Sequence, residues 1–111
     1  MLELQHTIAK PISISGYGLH TGVKSTLRFV PAPENHGIVF KRIDLAEDVT
    51  IPALADYVVD IARGTTLGLG EVKIHTVEHV LAAVAGLQID NIIIEINGIE
   101  PPVLDGSSKP F

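Results

Sequence analysis

Apolar and polar positions alternate with a period of two along most of the first 43 residues, and the pattern turns helical once, between residues 76 and 87. QHTIAKPISIS reads as a strand weakened at Pro11, VKSTLRFVP as an alternating strand and IVFKRID as another. GYGLHTG and APENHG between them read as a turn and a loop, and strands joined by such short connections favour antiparallel pairing. Residues 48–62, DVTIPALADYVVDIA, fit either extended chain or a helical turn. RGTTLGLG followed by EVKI predicts a strand, a glycine break and a short strand.

The spacing predicts a helix from near Thr76 to Gly86. Val77, Val80, Leu81 and Val84 recur on one helical face, Leu87 continues the stripe, and Glu78 in the first turn suits the positive end of the helix dipole. DNIIIEIN beyond it is a strand rich in β-branched residues, and GIEPPVLDG a loop. Asp105 is a good N-cap for a further helix, yet the sequence stops at Phe111, before such a helix reaches normal length. This is the pattern expected of a piece of a longer protein, with residues 1–111 forming one domain cut near the start of its second helix.

Composition narrows the partners. With 46% apolar residues in 111, a single globular domain is expected. The net charge of −5 and scattered single basic residues argue against nucleic acid as a partner. Without cysteine, any metal must be held by nitrogen and oxygen. The uncharged stretch VLAAVAGLQI is too short for a transmembrane segment, and MLELQHTIAK lacks the pattern of a signal peptide, so a soluble cytoplasmic protein is expected.

The most chemically loaded stretch is HTVEH, His75 to His79. Histidines four apart on a helix can share a metal, and a glutamate between them can act as general base, so the five residues match the pattern of the inverzincin metalloproteases. Helical geometry places His75 and His79 opposite the apolar stripe, beside Ala82 and Gly86, on a face small enough for another element to pack closely. His75, however, falls at or before the N-cap, where the helix no longer fixes its direction. A metal needs at least a third ligand, for which His20 and Asp105 are the candidates; His6 and His36 read as solvated. On these features alone the simpler reading is favoured, in which His79 is a partly exposed surface histidine and Glu78 a helix-dipole residue. Two rival readings follow: a non-catalytic α+β binding module, and a self-contained zincin-like hydrolase.

The flanks carry a longer signal. GYGLHTG, STLRFVPAPENHGIVFKRIDL and TVEHVLAAVAGLQIDNIIIEINGIEPPVLDGSSKPF together resemble the N-terminal domain of the UDP-3-O-acyl-N-acetylglucosamine deacetylases, zinc amidases of lipid A biosynthesis, over nearly the whole chain. The resemblance implies a two-layer α+β sandwich, a mixed, mostly antiparallel sheet with helices on one face, as the first of two similar domains with the active site between them. It implies that His79 is a zinc ligand and Glu78 the general base. The two other ligands, a His and an Asp, and a catalytic His would come from a C-terminal domain packing on the His79 face, and the substrate would be a UDP-sugar lipid. His75 is not a ligand in that pattern. His20 would stand at the active-site rim and Asp105 would support His79, while a turn histidine and a helix cap remain open for them. IARGTTL would border the passage for the acyl chain. The 111 residues alone would be inactive.

Overall fold

The computed structural model describes residues 6–18, 21–61 and 64–102. Its larger sheet has five strands, β1 (Ile12–Tyr17), β2 (Lys24–Pro31), β3 (Ile38–Arg42), β4 (Val49–Pro52) and β8 (Ile92–Ile96), in the order β1-β2-β8-β3-β4. β5 (Val58–Asp60), β6 (Thr66–Leu69) and β7 (Val72–Ile74) form a second, antiparallel sheet, and α1 (Glu78–Gly86) is the α-helix among the described residues. The result is the expected mixed, mostly antiparallel α+β architecture.

β8 takes the centre of the large sheet because its composition demands burial on one face and tolerates it on the other. Ile92, Ile94 and Ile96 are buried and point to the core, while Ile93 and Glu95 are half-buried on the opposite face. Ile94 lies opposite Phe29 of antiparallel β2 and Phe40 of parallel β3, so a β-branched residue is flanked by two aromatic rings. These side chains join Leu27, Ile51, Leu67, Ile74, Val77, Val80 and Val84 in one core. The short connection between β2 and β3 suggested that they pair; instead β8 is inserted between them. A parallel β3–β8 pair requires a crossover, which β4, the small sheet and α1 together provide.

The described part of the ambiguous stretch, residues 48–61, contains β4, one 3-10 turn (Ala55–Tyr57) and β5. The glycine break is a two-residue hairpin joining β6 to β7, in which Gly70 has φ +62, a conformation costly for other residues. Arg42, at the end of β3, ties the two sheets together. Its Nη1 donates to Lys73 O at 2.8 Å, while Nε and Nη2 donate to the Asp44 carboxylate at 2.8 and 2.7 Å. Those hydrogen bonds hold the Asp44 carboxyl below the ordinary aspartate range, against a smaller opposing effect of burial.

The helix stripe differs from expectation at its end. Val77, Val80 and Val84 are buried, but Leu87 is 58% exposed and Ala83 takes the inward place. Gln88 enters the left-handed region at φ +57 and the Ile89 N–H returns to Val84 O at 3.1 Å, closing the helix before Leu87 can follow the core. Leu87 instead stands with Ile8, Ile12 and Ile14 along an apolar groove beside β1. No helix among the described residues is long and apolar enough to cross a membrane.

Candidate active site

The start of α1 is set by hydrogen bonds to two different segments, one at Thr65 and one at Ile99–Glu100. The His75 N–H donates to Ile99 O at 2.7 Å and the Val77 N–H to Thr65 O at 3.1 Å. Between them Thr76 is buried with φ +55, and its hydroxyl donates to Glu100 Oε2 at 2.6 Å. A β-branched residue in this region costs about 1–3 kcal/mol and persists only where its surroundings fix it on both sides. The left-handed turn also explains why the helix begins at Glu78, two residues later than the spacing predicts: Thr76 cannot be helical, and Val77 caps the helix without a side-chain hydrogen bond.

Glu78 and His79 are therefore the first two residues of α1, both half-buried, while Val77 and Val80 on either side of them are buried in the core. Consecutive helical residues diverge by about 100°, so the carboxylate and the imidazole leave the backbone in different directions. Glu78 Oε2 accepts the Thr65 N–H at 2.9 Å. Gly64, at φ +100, lies against the same carboxylate: a Cβ there would stand 2.7 Å from Oε1. The segment before β6 thus fixes one carboxylate oxygen and leaves the other without a hydrogen bond among the described residues. The His79 ring likewise has no hydrogen-bond partner among the described residues, and Ala82 and Gly86, on its side of the helix, are exposed.

His75 turns elsewhere. Its Nδ1 lies 3.0 Å from Thr66 Oγ1, which engages the ring with β6. Among the described residues no group of three or more His, Asp or Glu side chains is placed to hold a metal. His6 and His36 are exposed, His6 beside Asp90 at 3.6 Å. His20, Asp105 and Arg63 lie outside the described residues.

Sequence reasoning placed Gly64 and Thr65 only in the stretch bordering an acyl passage and assigned no site role to Thr76 or Glu100. Nothing in RGTTL marks a main-chain donor for a carboxylate thirteen residues on. Glu100 carried a usable signal, an acidic residue set between Ile99 and Pro101: it is 1% exposed, and its Oε1 accepts the Thr21 N–H at 2.9 Å and hydroxyl at 3.1 Å.

The sequence model of the UDP-3-O-acyl N-acetylglycosamine deacetylase family matches residues 5–111. Over all 111 residues the chain is 60% identical to the bifunctional enzyme LpxC/FabZ of Chlorobaculum tepidum, of which it covers 24%. It is 54% identical over 107 residues, 96% of its length, to the UDP-3-O-acyl-N-acetylglucosamine deacetylase of Myxococcus xanthus, covering 34% of it. To the enzyme of the same name in Legionella pneumophila it is 53% identical over 107 residues, covering 35%. The chain therefore spans between a quarter and about a third of the length of these relatives. With the family model matching residues 5–111 of the 111, the chain belongs to the UDP-3-O-acyl N-acetylglycosamine deacetylase family.

Proposed function

We propose that residues 1–111 are the N-terminal domain of a longer, cytoplasmic zinc-dependent enzyme that removes acetate from UDP-3-O-(3-hydroxyacyl)-N-acetylglucosamine in lipid A biosynthesis. The observation that carries this reading is the adjacent Glu78 and His79 at the mouth of α1, one held by a main-chain N–H and the other unengaged among the described residues. One imidazole fits one corner of a nitrogen- and oxygen-ligated tetrahedral site, and the remaining His and Asp ligands belong to the C-terminal domain. When bound, zinc supplies Lewis acidity to the amide carbonyl.

The work of this chain's own residues is then to orient and to move a proton. Thr65 holds Glu78 Oε2, so Oε1 is the atom that takes the proton of the attacking water as general base. The divergence of neighbouring helical residues keeps Glu78 from competing with His79 for the metal. A group of the C-terminal domain protonates the departing sugar amine, and acetate leaves.

The test is made in the full-length parent enzyme. His79→Ala is expected to lose both zinc and turnover. Glu78→Gln is expected to keep zinc and lose about 10²-fold or more in kcat. Zinc held at wild-type stoichiometry in His79→Ala would overturn the ligand assignment, and loss of zinc in Glu78→Gln the base assignment. The 111-residue chain alone is expected to bind zinc weakly and to release no acetate.

A further inference from the structure

We infer that Glu100 is a positioning residue for Glu78 and His79: by accepting the Thr76 hydroxyl, its buried carboxylate holds the left-handed turn from which the two site residues leave the backbone. The inference rests on the active-site reading above and adds to it a group that touches neither substrate nor metal.

The contacts around this carboxylate are built rather than incidental. Oε2 accepts the Thr76 hydroxyl at 2.6 Å, and Oε1 accepts both the N–H and the hydroxyl of Thr21. The Glu100 main chain is held as well, its carbonyl accepting the Ser25 hydroxyl of β2 at 2.7 Å. Gly18 makes room, since a Cβ there would overlap the carboxylate. The Gly18 N–H donates to Val23 O and the Gly22 N–H to Gly18 O, so Gly22 and Val23, just after Thr21, are tied back to Gly18 at the end of β1. Glu100, only 1% exposed, thus joins the β1–β2 connection and the start of α1 through its side chain, and the strand β2 through its carbonyl.

Direction is the quantity at stake. Thr76 lies two residues before Glu78, and a change in its backbone angles rotates the first turn of α1 about its entry point. The bonds from His75 and Val77 anchor the flanking main chain, but the carboxylate is what the Thr76 side chain itself engages. A short hydrogen bond to a buried carboxyl oxygen, away from competing water, is a firm restraint on the group that makes it. Displacement of a reacting group by about 1 Å costs on the order of 10²-fold in rate.

The experiment compares Thr76→Val, Thr76→Ser and a core control, Ile51→Val, in the full-length enzyme, with kcat, KM and the rate at which a chelator removes zinc measured per folded molecule. Thr76→Val is expected to lower kcat about 10- to 100-fold with KM little changed, and to speed zinc removal. Thr76→Ser, which keeps the hydroxyl, is expected to restore most of both. Ile51→Val is expected to lower the melting temperature and leave both per-molecule values at wild type. Should Thr76→Val fail to fold, Thr76→Ala removes the hydroxyl without setting a methyl group against the carboxylate, and the same losses are expected of it. Wild-type kcat and zinc retention in the hydroxyl-free variant, an equal loss in Thr76→Ser, or an equal loss in Ile51→Val would each overturn the assignment. A wild-type enzyme without zinc-dependent turnover would instead overturn the active-site reading itself, which separates the two failures.

Discussion

The main-chain N–H of Thr65 lies 2.9 Å from Glu78 Oε2, so a residue at the entry to the small sheet holds the carboxylate that begins the helix. The same segment accepts the Val77 N–H at Thr65 O, and the two bonds together lock the helix start to β6 from outside the large sheet. The small sheet is thereby part of the candidate active site and not an appendage to the core.

Gly64 should be intolerant of a side chain for two independent reasons. Its φ of +100 is open to glycine alone at low cost, and a Cβ would press on Glu78 Oε1 at 2.7 Å. Gly64→Ala is expected to destabilise the protein by about 1–3 kcal/mol in urea unfolding. It should also lower deacetylase kcat in the full-length enzyme by more than this stability loss explains, since the carboxylate must move.

Ile94 is the residue on which the large sheet closes. It is fully buried between Phe29 and Phe40 on adjacent strands, where truncation leaves a cavity that two ring systems cannot fill. Ile94→Ala is expected to cost about 2–5 kcal/mol, read from the denaturation midpoint, and to be among the most damaging single truncations in the domain.

Asp44 gives the domain an acid-sensitive tie. Its carboxyl is more acidic folded than unfolded, chiefly through the hydrogen bonds from Arg42, so the unfolded chain binds the proton more readily. The stabilisation is complete above the unfolded value, about 3.9, and is lost as pH falls through the lower folded value. Asp44→Asn should therefore lower the melting temperature at pH 7, with the gap from wild type closing below about pH 4. Because the Asp44 side chain retains 29% exposure, the effect at pH 7 is expected to be about 0.5–1 kcal/mol.

Val84 and Leu87 look alike in the helical pattern and should behave differently. Val84, 2% exposed, loses two buried methyl groups on substitution by alanine, at about 2 kcal/mol. Leu87, 58% exposed on the groove rim, is expected to change the stability of the 111-residue chain by less than about 0.5 kcal/mol. Equal losses measured by thermal unfolding would place Leu87 in the core after all.

Much of this molecule was legible in its residues because the information is local. Alternation along VKSTLRFVP and the β-branched run IIIEI specify strands with one apolar face, Gly70 specifies a tight turn, and the stripe from Val77 to Val84 specifies a helix, each through contacts or backbone preferences within a few residues. The ordered motif from Thr76 to Phe111 likewise pointed to the family, since side chains in a fixed order need no fold to be read. Pairing was another matter. That β8 lies between β2 and β3 and that Thr76 is bent into a left-handed turn both depend on partners many residues away. The same is true of the site's supports: Thr65 reaches Glu78 across 13 residues and Glu100 reaches Thr21 across 79. A hydrogen bond between distant main-chain and side-chain atoms leaves no period or composition in a sequence, and tertiary packing alone decides which buried carboxylate meets which donor.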